Sequence, residues 1–333
     1  MQKKLFIGID ISKLVMDATV LFPDGRHDHH QFKNSRAGFN QLLRWVRRLS
    51  SKEAYELIFG FEDTGVYSIG IGRFLSGLKL RFVSENAYRI RRSMGIQRGK
   101  DDKADSLLIA RYLKRNLEEL SFGQAAPDLL LELGQLSSQR ERLLKERAAH
   151  KTRIKELKVL EGCLDMRFLL RIEADMVRLL DKKLREVEEE IGKRIKAQEG
   201  LQEKKELLCS VPGVGEQIAN QMLIITRGFT RFPDWRKFSC YAGLAPFKHT
   251  SGTSVRGRTK VSKIANKKIK ALLTMGALTS IKSKNEYRQY YERKTAEGKH
   301  PMAVLNAIKN KIVSRMFAVI ERNTPYVCLQ GRD

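Results

Sequence analysis

The chain has 333 residues, and its 64 Lys and Arg against 38 Asp and Glu leave a formal net charge of +26. That balance points to a polyanionic partner, nucleic acid before anionic membrane, since no basic amphipathic anchor or lipidation motif is present. No long apolar run or signal-peptide core appears, and Cys163, Cys209, Cys240 and Cys328 lie far apart without a CxxC pair, so no membrane helix, disulfide framework or zinc site is expected, and the cysteines suit a reducing cytoplasm.

Lys4–Asp10 is the first predicted strand. Leu5, Phe6, Ile7 and Ile9 are apolar, Gly8 admits close packing, and Asp10 is a carboxylate that is costly to bury unless paired or bound to a cation. Val15–Leu21 is the second strand, and Pro23-Asp24-Gly25-Arg26 is a turn into a polar edge strand, His27–Lys33. Asn34-Ser35 caps a helix reaching Leu49, with Phe39, Leu42, Leu43 and Val46 at helical spacing. Glu56–Glu62 is a second apolar strand ending on a carboxylate. The loop Asp63–Tyr67, a short helix Ser68–Leu75 and a fifth strand Lys79–Ser84 follow. Arg89–Lys100 reads as a basic loop holding Arg89, Arg91, Arg92, Arg98 and Lys100, and Asp101 or Asp102 opens a helix through Leu113. This β-β-β-α-β-α-β-α order predicts an RNase H-like mixed sheet over residues 1–125.

Residues 126–205 turn to Leu, Glu, Lys and Arg. Ile172, Met176, Leu180, Leu184, Val187, Ile191 and Ile195 recur at coiled-coil spacing, as do Ile154, Leu157, Leu160, Leu164 and Phe168, with a break near Glu161-Gly162-Cys163. The pattern predicts long coiled-coil helices, forming either a homodimer seam or an intramolecular pair with a solvated charged face. Residues 206–333 read as a mostly helical domain, which makes the whole chain α/β plus α. Val211-Pro212-Gly213-Val214-Gly215 between two helices resembles a helix-hairpin-helix turn, suited to a phosphate but also to a plain helix connection. Next comes a Ser/Thr/Gly-rich basic loop with Lys248, Arg256, Arg258, Lys260 and Lys263, continuing to Lys267 and Lys268. Tyr287, Tyr290 and Tyr291 lie between the last two helices, where they either stack on bases or pack against those helices.

The chemistry sits in Asp10, Glu62, Asp102 and Asp105. Two end apolar strands, and two are a helical turn apart and share a face. Hard oxygen ligands without His or Cys select Mg²⁺ or Mn²⁺, and two such ions about 4 Å apart would clamp a phosphodiester. Taken singly, Asp102 and Asp105 are equally suited to helix capping. Three functions stay open on these residues: a recombinase, a RuvC-like junction nuclease using water, and a non-catalytic nucleic-acid-binding protein.

The chain resembles the DEDD-type insertion-sequence transposases. The likeness rests on Gly8-Ile9-Asp10-Ile11-Ser12-Lys13, Glu62-Asp63-Thr64-Gly65-Val66-Tyr67 and Lys100-Asp101-Asp102-Lys103-Ala104-Asp105 in the first half. In the second half it rests on Val211-Pro212-Gly213-Val214-Gly215, Tyr241-Ala242-Gly243-Leu244-Ala245-Pro246 and Ser251-Gly252. The resemblance implies a RuvC-like domain, a coiled coil and a C-terminal transposase domain. It implies that Asp10, Glu62, Asp102 and Asp105 bind Mg²⁺, and that Ser251 attacks the phosphodiester to form a phosphoserine. It also implies a bridge RNA that pairs with double-stranded donor and target DNA, and a dimer through the coiled coil that becomes a tetramer on synapsis near the nucleoid. Asp63, Asp101 and Ala265 depart from the residues usual in that family, and Ser239, Ser254 and Ser262 lie near Ser251 as rivals.

Overall fold

The computed structural model describes residues 3–51, 53–94, 102–120, 122–123, 127–251, 255–261 and 265–327. They fall into two compact units, Met1–Ala125 and Ala126–Asp333.

The first unit is built on a five-stranded sheet of β1 (Lys3–Ile11), β2 (Val15–Leu21), β3 (His27–Lys33), β4 (Tyr55–Glu62) and β5 (Arg81–Glu85), in the order β3-β2-β1-β4-β5. β1, β2 and β3 pair antiparallel, whereas β4 lies parallel to β1, and β5 to β4. This is the mixed sheet the sequence predicts. β1 is apolar on both faces because helices cover both. Leu5, Ile7 and Ile9 pack with Phe39 and Leu42 of α1 (Arg36–Leu49) and with Phe74 and Leu75 of α2 (Val66–Gly77). Phe6, with Ile58 and Val83, packs on Ile109 and Leu113 of the opposite layer. Each such buried side chain is worth roughly 1.5–3 kcal/mol. α1 starts where the sequence places it, with the Ser35 hydroxyl accepting from the Gly38 amide at 3.3 Å.

One segment corrects the sequence reading. Ala87–Met94, expected to begin a basic loop, forms a helix, α3, followed by α4 (Asp102–Arg115). Ile90 is fully buried while Arg89, Arg91 and Arg92 are exposed, so a single apolar anchor was enough to seat a turn that composition alone marks as loop. Arg98 and Lys100 lie outside the described residues.

In the second unit, α5 (Asp128–Leu160) and α6 (Arg167–Lys196) pair as an intramolecular hairpin broken at the expected place. Leu143, Leu180 and Leu184 pack between them, flanked by Arg140–Glu188 at 2.6 Å and Arg147–Asp181 at 2.7 Å. The root of the pair, at Leu130, Leu133, Ile191 and Ile195, shares one core with the helices that follow. Those are α7 (Leu201–Cys209), α8 (Glu216–Ile225), α9 (Trp235–Tyr241), α10 (Lys267–Ser280), α11 (Glu286–Ala296) and α12 (Pro301–Arg322). The basic stretch read as a loop is a two-stranded hairpin, β6 (Pro246–Ser251) and β7 (Val255–Val261). The tyrosines resolve toward packing: Tyr287 is fully buried, and Tyr290 and Tyr291 lie against the same core.

Candidate active site

The strand ends gather carboxylates by register. β1 and β4 run parallel with Ile9 beside Phe61, so Asp10 and Glu62 come next, side by side, at the carboxyl ends of both strands. Across the antiparallel pair Asp10 faces Asp17, and on the far side Glu62 faces Glu85. Alternation puts all four on the sheet face that also carries Gly8 and Gly60.

That face is covered by α4. The Thr19 and Ser106 hydroxyls share a buried hydrogen bond of 2.7 Å. A Cβ on Gly8 would stand 2.2 Å from the Ser106 carbonyl oxygen and 2.4 Å from the Ala110 amide nitrogen. A Cβ on Gly60 would meet Leu113 at 2.6 Å. The two glycines therefore let the helix lie almost on the sheet, and Ser106 in contact brings its neighbour Asp105 to the strand ends. Asp102 is one turn earlier on the helix; its backbone is described and its side chain is not.

The structure sorts these acids by their partners. Asp17 is buried and saturated: the His29 ring nitrogen lies 3.1 Å from it, and the Gln31 amide donates to both its oxygens at 3.3 and 3.1 Å. Glu85 accepts from the Tyr112 hydroxyl and from Arg89, both at 3.1 Å. Burial, reinforced by the charge of Glu85, pushes the Tyr112 phenol up to about 12. Asp63 accepts from the Gly65 amide at 3.3 Å, which holds the loop after β4.

Glu62 is different. It is partly buried, and its carboxyl is held above the usual glutamate range, first by burial and further by the negative charge of Asp105, with Arg91 pulling the other way. The charge of Asp105 thus reaches Glu62. Hard carboxylates gathered at a sheet edge have the donor chemistry of a divalent-cation site, and Asp10 lies on the adjacent strand in register with Glu62. Among the described residues no three acidic, His or Cys side chains converge into a finished cage.

Sequence reasoning missed Asp17 and Glu85 as members of this wall. The available signal was alternation: Asp17 follows Met16 on a buried strand, and Glu85 extends the fifth strand by one residue. Of the arginines read as nucleic-acid contacts, the exposed Arg89 also donates to Glu85, and the charge of the exposed Arg91 draws the Glu62 carboxyl down.

In the second unit Ser251 is the last residue of β6, in register with Val255. Arg256, Arg258 and Lys260 all belong to β7, whose register with β6 shifts between Phe247 and His249. Lys248 is in β6. Of these residues only the backbone is described, and Lys263, Ser254 and Ser262 lie outside the described residues. Ser239 is 1% exposed inside α9 and presents no attacking hydroxyl to solvent. Lys267 is exposed at the start of α10, whereas Lys268 is engaged with Glu141 at 2.5 Å.

The turn expected to bind phosphate is used differently. Gly213 has φ +83°, and a Cβ there would stand 2.5 Å from the Gly276 carbonyl of α10. Glu216 opens α8 and pairs with Lys205 at 3.3 Å. The glycine serves helix packing, and the helix N-terminus already carries a carboxylate.

Comparison with known proteins gives matches in both halves. Residues 7–163 match the DEDD transposase family of the IS110 type, and residues 205–292 match the Transposase IS116/IS110/IS902 family. The pilin gene-inverting proteins of Moraxella lacunata and Moraxella bovis are each 26% identical over 331 residues, spanning 97% of this chain and 98% of the relative. The insertion element IS110 uncharacterized 43.6 kDa protein of Streptomyces coelicolor is 34% identical over 121 residues, 36% of this chain and 29% of that protein.

Proposed function

We propose that this chain, which carries the DEDD and the IS116/IS110/IS902 transposase domains, is an insertion-sequence transposase that cuts and rejoins DNA at a carboxylate site using Ser251 as nucleophile. The observation that carries the metal half of this reading is the placement of Asp10 and Glu62 side by side at the ends of two parallel strands, under a closely docked α4 that bears Asp105. The end-to-end likeness to proteins named for inverting a gene supports cutting and rejoining over cutting alone.

Asp10, Glu62, Asp102 and Asp105 are the residues that would hold Mg²⁺ or Mn²⁺. Bound there, the ion supplies positive charge to an attacking or leaving phosphodiester oxygen. Arg256, Arg258 and Lys260 of β7 neutralise the phosphate, while the Ser251 hydroxyl, a weak nucleophile by itself, gives up its proton and bonds to phosphorus as one deoxyribose oxygen of the phosphodiester leaves as a free hydroxyl; attack of a DNA hydroxyl on that phosphoserine releases the serine and rejoins the strand. Double-stranded donor and target DNA are the substrates, and a bridge RNA that pairs with both selects them. The net charge of +26 suits a protein that handles RNA and DNA together.

A denaturing-gel adduct assay tests this. Labelled donor and target DNA, the RNA flanking the element and Mg²⁺ are incubated with wild type, Ser251→Ala and Asp10→Ala. A covalent protein–DNA band is expected in wild type alone and only with RNA present. Strand cleavage that survives Ser251→Ala, leaves no adduct and is lost in Asp10→Ala would instead establish a water-using nuclease. DNA binding with no cleavage in wild type would establish a binding protein.

The homodimer is assigned to the far end of the helical pair, and a tetramer to the synaptic complex. Leu164, Phe168 and Ile172 are 57%, 62% and 42% exposed there, an apolar stripe that keeps the coiled-coil spacing and is left uncovered by the intramolecular pairing. Phe168→Ser with Ile172→Ser is expected to weaken self-association about 10-fold or more, with little change in thermal unfolding, because neither side chain is in the core. Sedimentation equilibrium checks it; an unchanged dimer would remove the stripe from the interface.

A further inference from the structure

The second unit holds a groove of about 1090 Å³ between α9, the root of the β6–β7 hairpin and α12, at the upper end of the roughly 300–1,000 Å³ range of small-ligand sites. Its walls include Trp235, Pro246 and Met302, and among the described residues its charged lining is Arg236, Lys270 and Lys309, with no carboxylate. Lys309 is only 4% exposed, and its ammonium donates to the Thr274 hydroxyl at 3.3 Å. Burying an ammonium without a carboxylate is costly, and a ligand anion would relieve that cost. Ser239 also lines the groove, and its hydroxyl, buried behind the wall, has no hydrogen-bond partner among the described residues. Asn306 and Asn310 both spend an amide nitrogen on the Leu244 carbonyl, at 2.9 and 3.1 Å, which fixes the two carboxamides on α12.

We propose that this groove holds one unpaired nucleotide, its base against Trp235, Pro246 and Met302 and its phosphate at Lys270 and Lys309. An apolar wall with cations and no acid matches a ligand that is flat and apolar at one end and anionic at the other. A peptide helix would satisfy the wall but not the cations. A paired duplex keeps its bases stacked inside, so only its phosphates would reach the rim, whereas an unpaired base swings out at modest cost. Trp235 is partly exposed and offers the aromatic face on which single bases stack. The groove lies at the foot of the hairpin, at Pro246 and Val261, the end of β6 opposite Ser251. The proposal concerns binding alone and does not depend on the strand-transfer chemistry.

Fluorescence anisotropy with the full chain, without Mg²⁺ and at salt high enough to suppress non-specific binding, decides it. The probes are a duplex with one bulged nucleotide and the same duplex fully paired, each as DNA and as RNA. Wild type is expected to prefer a bulged probe about 10-fold, the size of one base-stacking contact. Preference for the RNA bulge would assign the groove to the guide, and preference for the DNA bulge to a substrate strand. Trp235→Ala and Lys309→Met are each expected to abolish the preference while changing affinity for the paired duplex less than twofold. Lys309→Met replaces a buried charge by an apolar chain of similar length, so its thermal unfolding is expected at or above that of wild type. Met302→Glu, at a position 56% exposed, introduces an anion on the wall without touching the core and is expected to do the same. Equal wild-type affinity for bulged and paired probes overturns the proposal, as does a preference that survives in these three folded variants.

Discussion

Gly8→Ala is expected to cost about 1–3 kcal/mol of stability and to slow strand transfer by about 10²-fold, although residue 8 carries no functional group. The added Cβ would stand 2.2 and 2.4 Å from backbone atoms of Ser106 and Ala110, where no side-chain rotation gives relief. Either β1 bends or α4 lifts. If α4 lifts, it breaks the 2.7 Å Thr19–Ser106 hydrogen bond and carries Asp105 and Asp102 away from Asp10 and Glu62. A shift of an ångström is enough to spoil a site built from groups on separate elements. Gly77→Ala is the control, since a Cβ there meets nothing within 4 Å; it is expected to leave activity unchanged and stability equal or slightly raised. Thermal unfolding and strand transfer on both variants check the pair, and equal behaviour would show that close docking of α4 does not position the acids.

Glu62→Gln is expected to lower strand transfer by about 10³-fold or more, beyond the roughly 10²–10³-fold loss of a single charge-stabilising donor, without loss of stability. The sign follows from the carboxyl's environment. Burial and Asp105 hold Glu62 above the usual glutamate range in the folded chain, against a partial offset from Arg91. The folded state then binds that proton more tightly than the unfolded state. The resulting contribution to stability is complete below the ordinary glutamate value and is lost as the pH rises through the raised one. Glu62→Gln should therefore flatten this part of the stability–pH profile. Asp105→Asn should bring the Glu62 carboxyl back toward its ordinary range. Mg²⁺ binding the ionised pair should raise the midpoint of thermal unfolding in wild type and less so in Glu62→Gln, a readout independent of turnover. A variant that kept both its activity and its Mg²⁺-dependent midpoint would remove Glu62 from the site.

Legibility varied with how local each feature was. The strands of the first unit could be read to within one or two residues because their apolar runs are short, continuous and bounded by turn residues. α3 could not, since one buried Ile90 among arginines leaves no periodic trace. The β6–β7 hairpin was read as loop because its Ser, Thr, Gly, Arg and Lys residues lack the apolar alternation that marks a half-buried strand. In the helical pair, spacing gave the helices and their break, but the division of one apolar stripe into a buried stretch around Leu180 and Leu184 and an exposed one around Phe168 is set by which side of α6 packs on α5.

For the site, a carboxylate that closes an apolar strand is costly to bury and so stands out in the chain, and Asp10 and Glu62 were visible on that ground. Sequence alone thus determined the mixed sheet, the helical hairpin, the polyanion-binding character and which acids to suspect. Tertiary structure decided which acids stand together at the strand ends. Parallel register set Glu62 beside Asp10, two glycines let α4 bring Asp105 to Glu62, and Asp17 and Glu85 were drawn off by His29, Gln31, Tyr112 and Arg89. The physical reason is that a carboxylate's chemistry is set by the charges and donors within a few ångströms of it, and in this fold most of those come from other strands and helices.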